Sequence, residues 1–212
     1  VMRNILIEEE CLLNENLNIN NMRFAFVKTP YWDKVDDDTK VNLENFISNL
    51  IESKINVEEI DLNNLILESS EIHKKISGYE FKRSISAERF HHYNELSDIL
   101  RNGRLSDGEN MSLSDYHYLF DHLEKHKHMI NNKISSYDCI ISPSALGEAL
   151  NGLEYTGSPV LNTTWTLLGL PSITLPMFKS KNNLPIGCQF ISKKADDNKL
   201  LSISKKILLE FS

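Results

Sequence analysis

Cysteine is scarce in this sequence: Cys11, Cys139 and Cys188 are all it has. An odd number without CxxC spacing excludes a disulfide framework and a structural zinc knuckle. Cys139 and Cys188 each lie in an apolar run, which reads as buried, reduced thiol in a cytoplasmic compartment. Long apolar runs are missing as well. The most apolar stretch, 166–178, is broken by Gly169, Pro171 and Pro176 and is too short to span a bilayer. No N-terminal stretch has the layout of a signal peptide. Positive charge is in deficit, with 23 Lys and Arg against 30 Asp and Glu and a net charge of −7. The densest basic stretch, 74–83, is interleaved with Glu80 and apolar residues. A nucleic-acid or anionic-membrane partner is therefore excluded, since either calls for a basic patch. Glycine-rich loops are absent too: there is no GxGxxG, GxxxxGK[ST] or GxSxG, hence no phosphate cradle and no lipase-type nucleophile elbow.

What is present is an ordinary globular composition, 212 residues with 41% hydrophobic and 25% charged, long enough to bury a core as one domain. Residues 1–21 mix apolar, acidic and Asn-rich pieces and read as a poorly packed lead-in. Residues 22–27 read as a strand ended by Pro30. Asp36, Asp37 and Asp38 open a helix whose stripe is Leu43, Phe46, Ile47, Leu50 and Ile51, and 56–62 is a second strand. Strand–helix–strand marks an α/β sheet. From Ser69, read as a cap, to Leu100 the chain is helical, with Ile72, Ile76 and Tyr79 on one face and Gly103 as the stop. Ser112 and Asp115 have capping-box spacing, and the helix after them buries Tyr116, Leu119, Phe120, Leu123, Ile130 and Ile134. A buried strand at 139–141, a Gly/Pro-containing loop to Pro159, a short helix at 162–168, strands at 172–175 and 186–191, and a helix capped by Asp196 complete the chain.

Candidate chemistry is thin. His122 and His126 stand four apart on a helix with Glu124 between them, but a zinc protease needs the Glu beside the first His. Their stretch, 121–128, alternates in charge and reads as a solvated face, so no metal is expected. Asp36-Asp37-Asp38 and Asp196-Asp197 read as negative helix starts rather than cation sites. Gly157 and Gly169 read as turn glycines, and Trp165 as a core aromatic.

The last third carries more. Tyr137-Asp138-Cys139-Ile140-Ile141-Ser142-Pro143-Ser144 leads to Gly147-Glu148-Ala149 and then to Asn162-Thr163-Thr164-Trp165-Thr166-Leu167-Leu168-Gly169-Leu170-Pro171. Ile173-Thr174-Leu175-Pro176, Leu184-Pro185-Ile186-Gly187-Cys188-Gln189 and Asp197 before Leu200-Leu201 follow. This order resembles the C-terminal half of amidase-signature enzymes, sharply after Tyr137 and loosely from Met22. The resemblance implies a partial amidase-signature fold, α/β with a mixed β-sheet flanked by helices. It implies a hydrolase cleaving the C–N bond of a small-molecule amide through a Ser acyl-enzyme, without a cofactor. The family's Ser pair and Lys belong to an N-terminal half with a Gly/Ser-rich motif that this sequence does not contain, so no catalytic residue carries over. The chain starts with Val1, not Met, and reads as a fragment, inactive alone, whose partner is the missing N-terminal half or a second copy. Thr163, Thr164, Trp165 and Leu168 are then the candidate substrate contacts. Ser158 and Leu150 stand where the family commonly has Asp and Pro. The Tyr-x-x-Asp-x-x-Thr loop that marks the tRNA-dependent amidotransferases of this family is not found, which points to a stand-alone amidase. The alternative is a non-catalytic binding protein on a truncated amidase scaffold.

Overall fold

The computed structural model describes residues 13, 14 and 17–211. Cys11 and most of the 1–21 lead-in lie outside them. The chain divides into two compact units, one of residues 1–63 with 133–212 and one of residues 64–132.

The first unit is α/β. Strand β1 (Arg23–Phe26) leads into helix α1 (Asp37–Glu52) and strand β2 (Asn56–Glu59), the expected strand–helix–strand unit. Strand β3 (Cys139–Pro143), helix α5 (Val160–Leu168), strands β4 (Ser172–Lys179) and β5 (Pro185–Ile191) and helix α6 (Asp197–Phe211) follow later in the chain. The sheet order is β2-β1-β3-β5-β4. β1 runs parallel to β2 and β3, with Phe24 opposite Val57 and Cys139. β5 runs antiparallel to β3 and β4. The sheet is thus mixed, as the resemblance implied.

Period-2 alternation decides which side chains reach the main core. Phe24 and Phe26, Cys139 and Ile141, and Cys188 and Phe190 join Leu43, Phe46 and Leu50 of α1 and Leu200, Ile203 and Ile207 of α6. Phe46 meets Phe178, Phe190 and Phe211 edge to face, at 5.7, 6.4 and 6.2 Å between ring centroids, an arrangement that aromatic quadrupoles favour. Ile19, within the stretch read as lead-in, is also buried in this core. Ile51, expected in the α1 stripe, is 53% exposed, because the 3.6-residue repeat carries it past the edge of the buried face.

Helix α1 begins and ends by identifiable devices. Asp36 caps it by accepting a bond from the Thr39 amide at 2.7 Å, and Asp37 and Asp38 occupy its first turn, where the helix dipole favours anions. At the other end Lys54 adopts φ +64°. The Lys54 amide then reaches Ile51 O at 2.9 Å and the Ile55 amide reaches Leu50 O at 3.0 Å, a Schellman closure with Lys where glycine is usual. Gly169 closes α5 the same way at φ +67°, without the strain.

The second unit is helical: α2 (Asn63–Ser84), α3 (Ser86–His91), a short helical turn with a π turn over Arg101–Leu105, and α4 (Leu113–Ile134). Three expectations are corrected here. Ser69 is no cap. The helix starts six residues earlier, where Asp61 accepts from the Asn63 amide at 2.7 Å, and Ser69 is fully buried in mid-helix. The helix does not run unbroken to Leu100, because no apolar stripe bridges 85–97, and Gly103 lies inside the π turn rather than ending it. The 121–128 stretch is not wholly solvated, because His126 shares the buried stripe of Leu123, Ile130 and Ile134 and is 0% exposed. The Ser112 and Asp115 capping box forms as read, with reciprocal bonds of 3.0 and 3.1 Å. Gly78 and Gly108 cross so closely that a Cβ on Gly108 would lie 2.3 Å from Gly78 C, so neither position admits a side chain. Among the described residues no helix is long and apolar enough to cross a membrane.

The α/β unit generates two stability predictions. Lys54→Gly is expected to raise the urea midpoint, by about 0.5–1 kcal/mol, through relief of left-handed strain net of glycine's extra freedom in the unfolded chain. Asp138 joins three elements: its carboxylate accepts from Lys199 Nζ at 2.7 Å and from the Arg23 amide at 2.9 Å. Burial opposes its charge, yet these bonds hold its pKa below the ordinary 3.8. A depressed carboxylate stabilises the fold above its unfolded pKa and loses that contribution as pH falls. Asp138→Asn should therefore cost about 1–2 kcal/mol at pH 7, and the gap to the parent should close below about pH 3 in denaturation at graded pH.

Candidate functional site

In open α/β sheets the ligand crevice lies beyond the carboxyl ends of parallel strands, where the chain leaves a strand to one side and returns on the other. Here that place is between β1 and β3, since β2 and β3 flank β1. β3 ends in Ser142 and Pro143, and Ser142 pairs with Gln189 of β5. Because Cys139, Ile141, Cys188 and Phe190 face the main core, alternation turns Ser142 and Gln189 to the opposite face.

On that face a chain of polar contacts joins β3, β5 and the first turn of α5. Gln189 Nε2 donates to Asn162 Oδ1 at 2.7 Å. Asn162 Nδ2 donates to Ser144 O at 3.1 Å, and Ser144 Oγ donates to Gly187 O at 3.0 Å. Gly187 is required, because a Cβ there would lie 2.5 Å from Ser144 Oγ. Four buried polar atoms on the same three elements have no hydrogen-bond partner: Ser142 Oγ, Gln189 Oε1, Thr164 Oγ1 and Trp165 Nε1. Such atoms are costly inside a protein, and they offer one donor, one acceptor and two hydroxyls to a group brought against this face.

The candidate contacts named from the sequence are distributed unevenly. Thr164, Trp165 and Leu168 are buried at 1%, 1% and 5% exposure. Thr163 is half-buried, and its hydroxyl turns back to Pro159 O at 3.1 Å. Asn162 and Gln189, which tie the face together, were not singled out by sequence reasoning. Gln189 could have been: it is the polar residue in the otherwise apolar stretch 186–191.

At the rim, the Asp36 amide donates to Leu146 O at 2.7 Å. Asn182 Nδ2 donates to Glu148 Oε1 at 2.6 Å, and Lys181 pairs with Asp38 at 2.9 Å. A cleft of about 320 Å³ opens at the ends of β1 and β2, lined by Lys28, Thr29, Glu59, Ile60, Asp61 and Asn63. Lys28 Nζ lies 3.2 Å from both Glu44 and Glu59. Burial works against its charge, but the two carboxylates prevail and raise its pKa. Thr29 is buried with φ +70°, a conformation strained for a β-branched residue.

This arrangement is built for holding rather than for attack. Ser144 gives its proton to a carbonyl and Ser142 has no base. The Cys139 thiol is pushed up to about 12 by burial, and Cys188 is raised by the same cause, so neither is a thiolate nucleophile. In the helical unit Ser69 Oγ lies 2.8 Å from His126 Nε2, and Glu68 Oε2 lies 3.2 Å from His126 Nδ1. The sequence of groups is that of a hydrolytic triad, yet Ser69 and His126 are both fully buried and no substrate carbonyl reaches them. Among the described residues no group of three His, Cys, Asp or Glu is placed to hold a metal ion.

Comparison with known proteins places this geometry. The family model for amidases matches residues 8–201. The amidase-family component of the mitochondrial glutamyl-tRNA(Gln) amidotransferase of Ornithorhynchus anatinus is 27% identical over 146 residues, covering 60% of this chain and 28% of that protein. Its counterpart in Staphylococcus aureus (strain JH9) is 26% identical over 217 residues, covering 88% of this chain and 44% of that protein. A crystal structure of an amidase superposes with a TM-score of 0.79 at 18% identity, over 99% of this chain and 49% of that one. The chain thus spans less than half the length of each. These curated relatives belong to amidotransferases, whereas the sequence pointed to stand-alone amidases.

The polar chain is testable by a double-mutant cycle. Gln189→Leu and Asn162→Ala are each expected to cost about 1–3 kcal/mol in urea unfolding, and the double variant less than their sum, because each single change strands the other partner.

Proposed function

Because this chain belongs to the amidase family, we propose that it forms the C-terminal part of a hydrolase that cleaves the C–N bond of a small-molecule amide, with the catalytic Ser pair and Lys supplied by a segment upstream of Val1. The observation that carries this reading is the run of linked motifs from Tyr137 to Leu201 within the matched region, which builds β3, α5 and β5 and the polar face they share.

In this reading the upstream Ser oxygen attacks the amide carbonyl, the amine leaves with a proton, and water hydrolyses the resulting acyl ester. This chain contributes one wall of the pocket. Trp165 and Leu168 supply apolar surface, Thr163 and Thr164 supply hydroxyls, and the unpartnered atoms of Ser142 and Gln189 supply polar contacts. The substrate is a small amide, because the Tyr-x-x-Asp-x-x-Thr loop is not found between Pro143 and Trp165, and the compartment is the cytoplasm. The partner is the N-terminal half or a second copy of the chain. A partner is supported by the exposed apolar residues of the loop before α5, where Leu150, Leu153 and Tyr155 are 58%, 97% and 58% exposed, a density that marks contact surfaces.

The test is to assay two proteins against a panel of small amides in the presence of hydroxylamine, which traps acyl-enzymes as hydroxamates. The first is this chain alone, expected to be inactive. The second is the reading frame extended upstream of Val1, expected to contain a Lys and a Gly/Ser-rich segment and to release hydroxamate. Hydrolysis by the chain alone would place the nucleophile within it. An extended frame without those residues would turn the reading to a binding protein on an amidase scaffold.

A further inference from the structure

All seven histidines of the sequence, at positions 73, 91, 92, 117, 122, 126 and 128, fall between residues 64 and 132, which is the helical unit. The α/β unit has none. Histidine is the side chain whose ordinary pKa lies in the mildly acidic range, so between about pH 7 and 5 one unit titrates and the other is silent.

Two of these histidines meet a carboxylate from the facing helix. Glu68 of α2 spends both carboxylate oxygens on α4: Oε1 lies 2.7 Å from His122 Nε2, and Oε2 lies 3.2 Å from His126 Nδ1. The next residue, Ser69, lies 2.8 Å from His126 Nε2 and 2.9 Å from Leu65 O. Glu68 and His122 are 36% and 39% exposed at the side chain, whereas His126 is 0% exposed.

We propose that Glu68, Ser69, His122 and His126 form a proton-operated clasp between α2 and α4, so that mild acid loosens the helical unit while the α/β unit stays folded.

The proton count supports the clasp. A neutral imidazole carries one N–H. Placed on His126 Nδ1, it faces the Glu68 carboxylate, and the Ser69 hydroxyl donates to Nε2. A second proton must go onto Nε2. The Ser69 hydroxyl then has to turn away and donate to Leu65 O, leaving its oxygen to accept. The bonds survive, but the cation has no access to water, and its counter-charge is a carboxylate already shared with His122. The groups acting on His126 are Glu68, His122 and the Leu65 backbone, and burial outweighs them, holding its pKa below the ordinary 6.5. His73 on α2 is held low in the same sense, first by burial and then by the Arg104 guanidinium, against the pull of Glu80.

The sign follows from linkage. A histidine with a depressed folded pKa binds fewer protons folded than unfolded, so its contribution is complete above about pH 6.5 and is lost as pH falls toward the folded pKa. His126 and His73 add in that direction. The unit's charge moves the same way: residues 64–132 hold eleven Asp and Glu against nine Lys and Arg, a formal −2 that becomes +5 with seven imidazolium groups. The clasp is independent of the proposed amide chemistry.

The experiment is amide hydrogen exchange on the full chain at pH 7.5, 6.5 and 5.5, corrected for intrinsic rates, with a histidine-ring NMR titration alongside. Protection in 64–132 should fall between pH 7.5 and 5.5, by up to roughly tenfold for each pKa unit by which His126 is depressed, while protection in 19–63 and 133–211 holds. His126→Gln, which keeps a polar side chain but cannot be charged, should remove most of that dependence. If that variant fails to fold, Glu68→Gln serves instead. It should leave a folded chain whose His126 titrates still lower, having lost its counter-charge. The proposal is overturned if protection in 64–132 is independent of pH, if both units lose protection together, or if His126 in the parent chain titrates at or above 6.5.

Discussion

The structure depends on β3, a strand with a paired neighbour on each edge and no exposed residue. It pairs in parallel with β1 and antiparallel with β5, so it is the line along which the sheet changes sense. Such a strand must satisfy its backbone through its neighbours and place every side chain without water. Cys139 and Ile141 meet that demand on one face by joining the Phe46 cluster. On the other face Ser142 leaves its hydroxyl unpartnered, and the polar chain from Gln189 through Asn162 to Ser144 compensates beside it. Asp138 sets the strand's start by binding the Arg23 amide and Lys199, which draws β1 and α6 to the same point.

The same physical rule acts differently in the helical unit. His126 is buried as Ser142 is, but its partners are themselves titratable or able to reverse a hydrogen bond. A polar group satisfied by backbone carbonyls and amides is indifferent to mild acid. One satisfied by a shared carboxylate and a rotatable hydroxyl is not. Where a buried polar group finds its partners therefore separates a constant scaffold from a responsive one, and this chain has both kinds.

Much of the α/β unit was legible beforehand. Period-2 alternation marked β1 and β5, the acidic run marked the start of α1, and linked motifs after Tyr137 pointed to the family. The core aromatics Phe24, Phe46 and Phe190 sit where their spacing puts them. The helical unit was less legible. Ser69 carries a capping residue's chemistry, yet Asp61 had already begun the helix. His126 lies in a charge-rich run, yet its position relative to Leu123 and Ile130 puts it on the buried stripe. Local composition misled in both places because burial depends on the angle around a helix axis, not on the polarity of the immediate neighbours.

The sequence by itself determined the class of fold, the parity of each strand, the helix start at Asp36, the family, and the absence of a Gly/Ser-rich nucleophile motif, because each of these is a property of residue order or short-range spacing. Only the tertiary structure decided that Gln189 meets Asn162, that Ser142, Thr164 and Trp165 keep unpartnered polar atoms, and that Glu68 spans two histidines of another helix. These contacts join residues 27 to 58 positions apart. Separations of that size are closed by packing of the core, and no local pattern of residues records which partners the packing brings together.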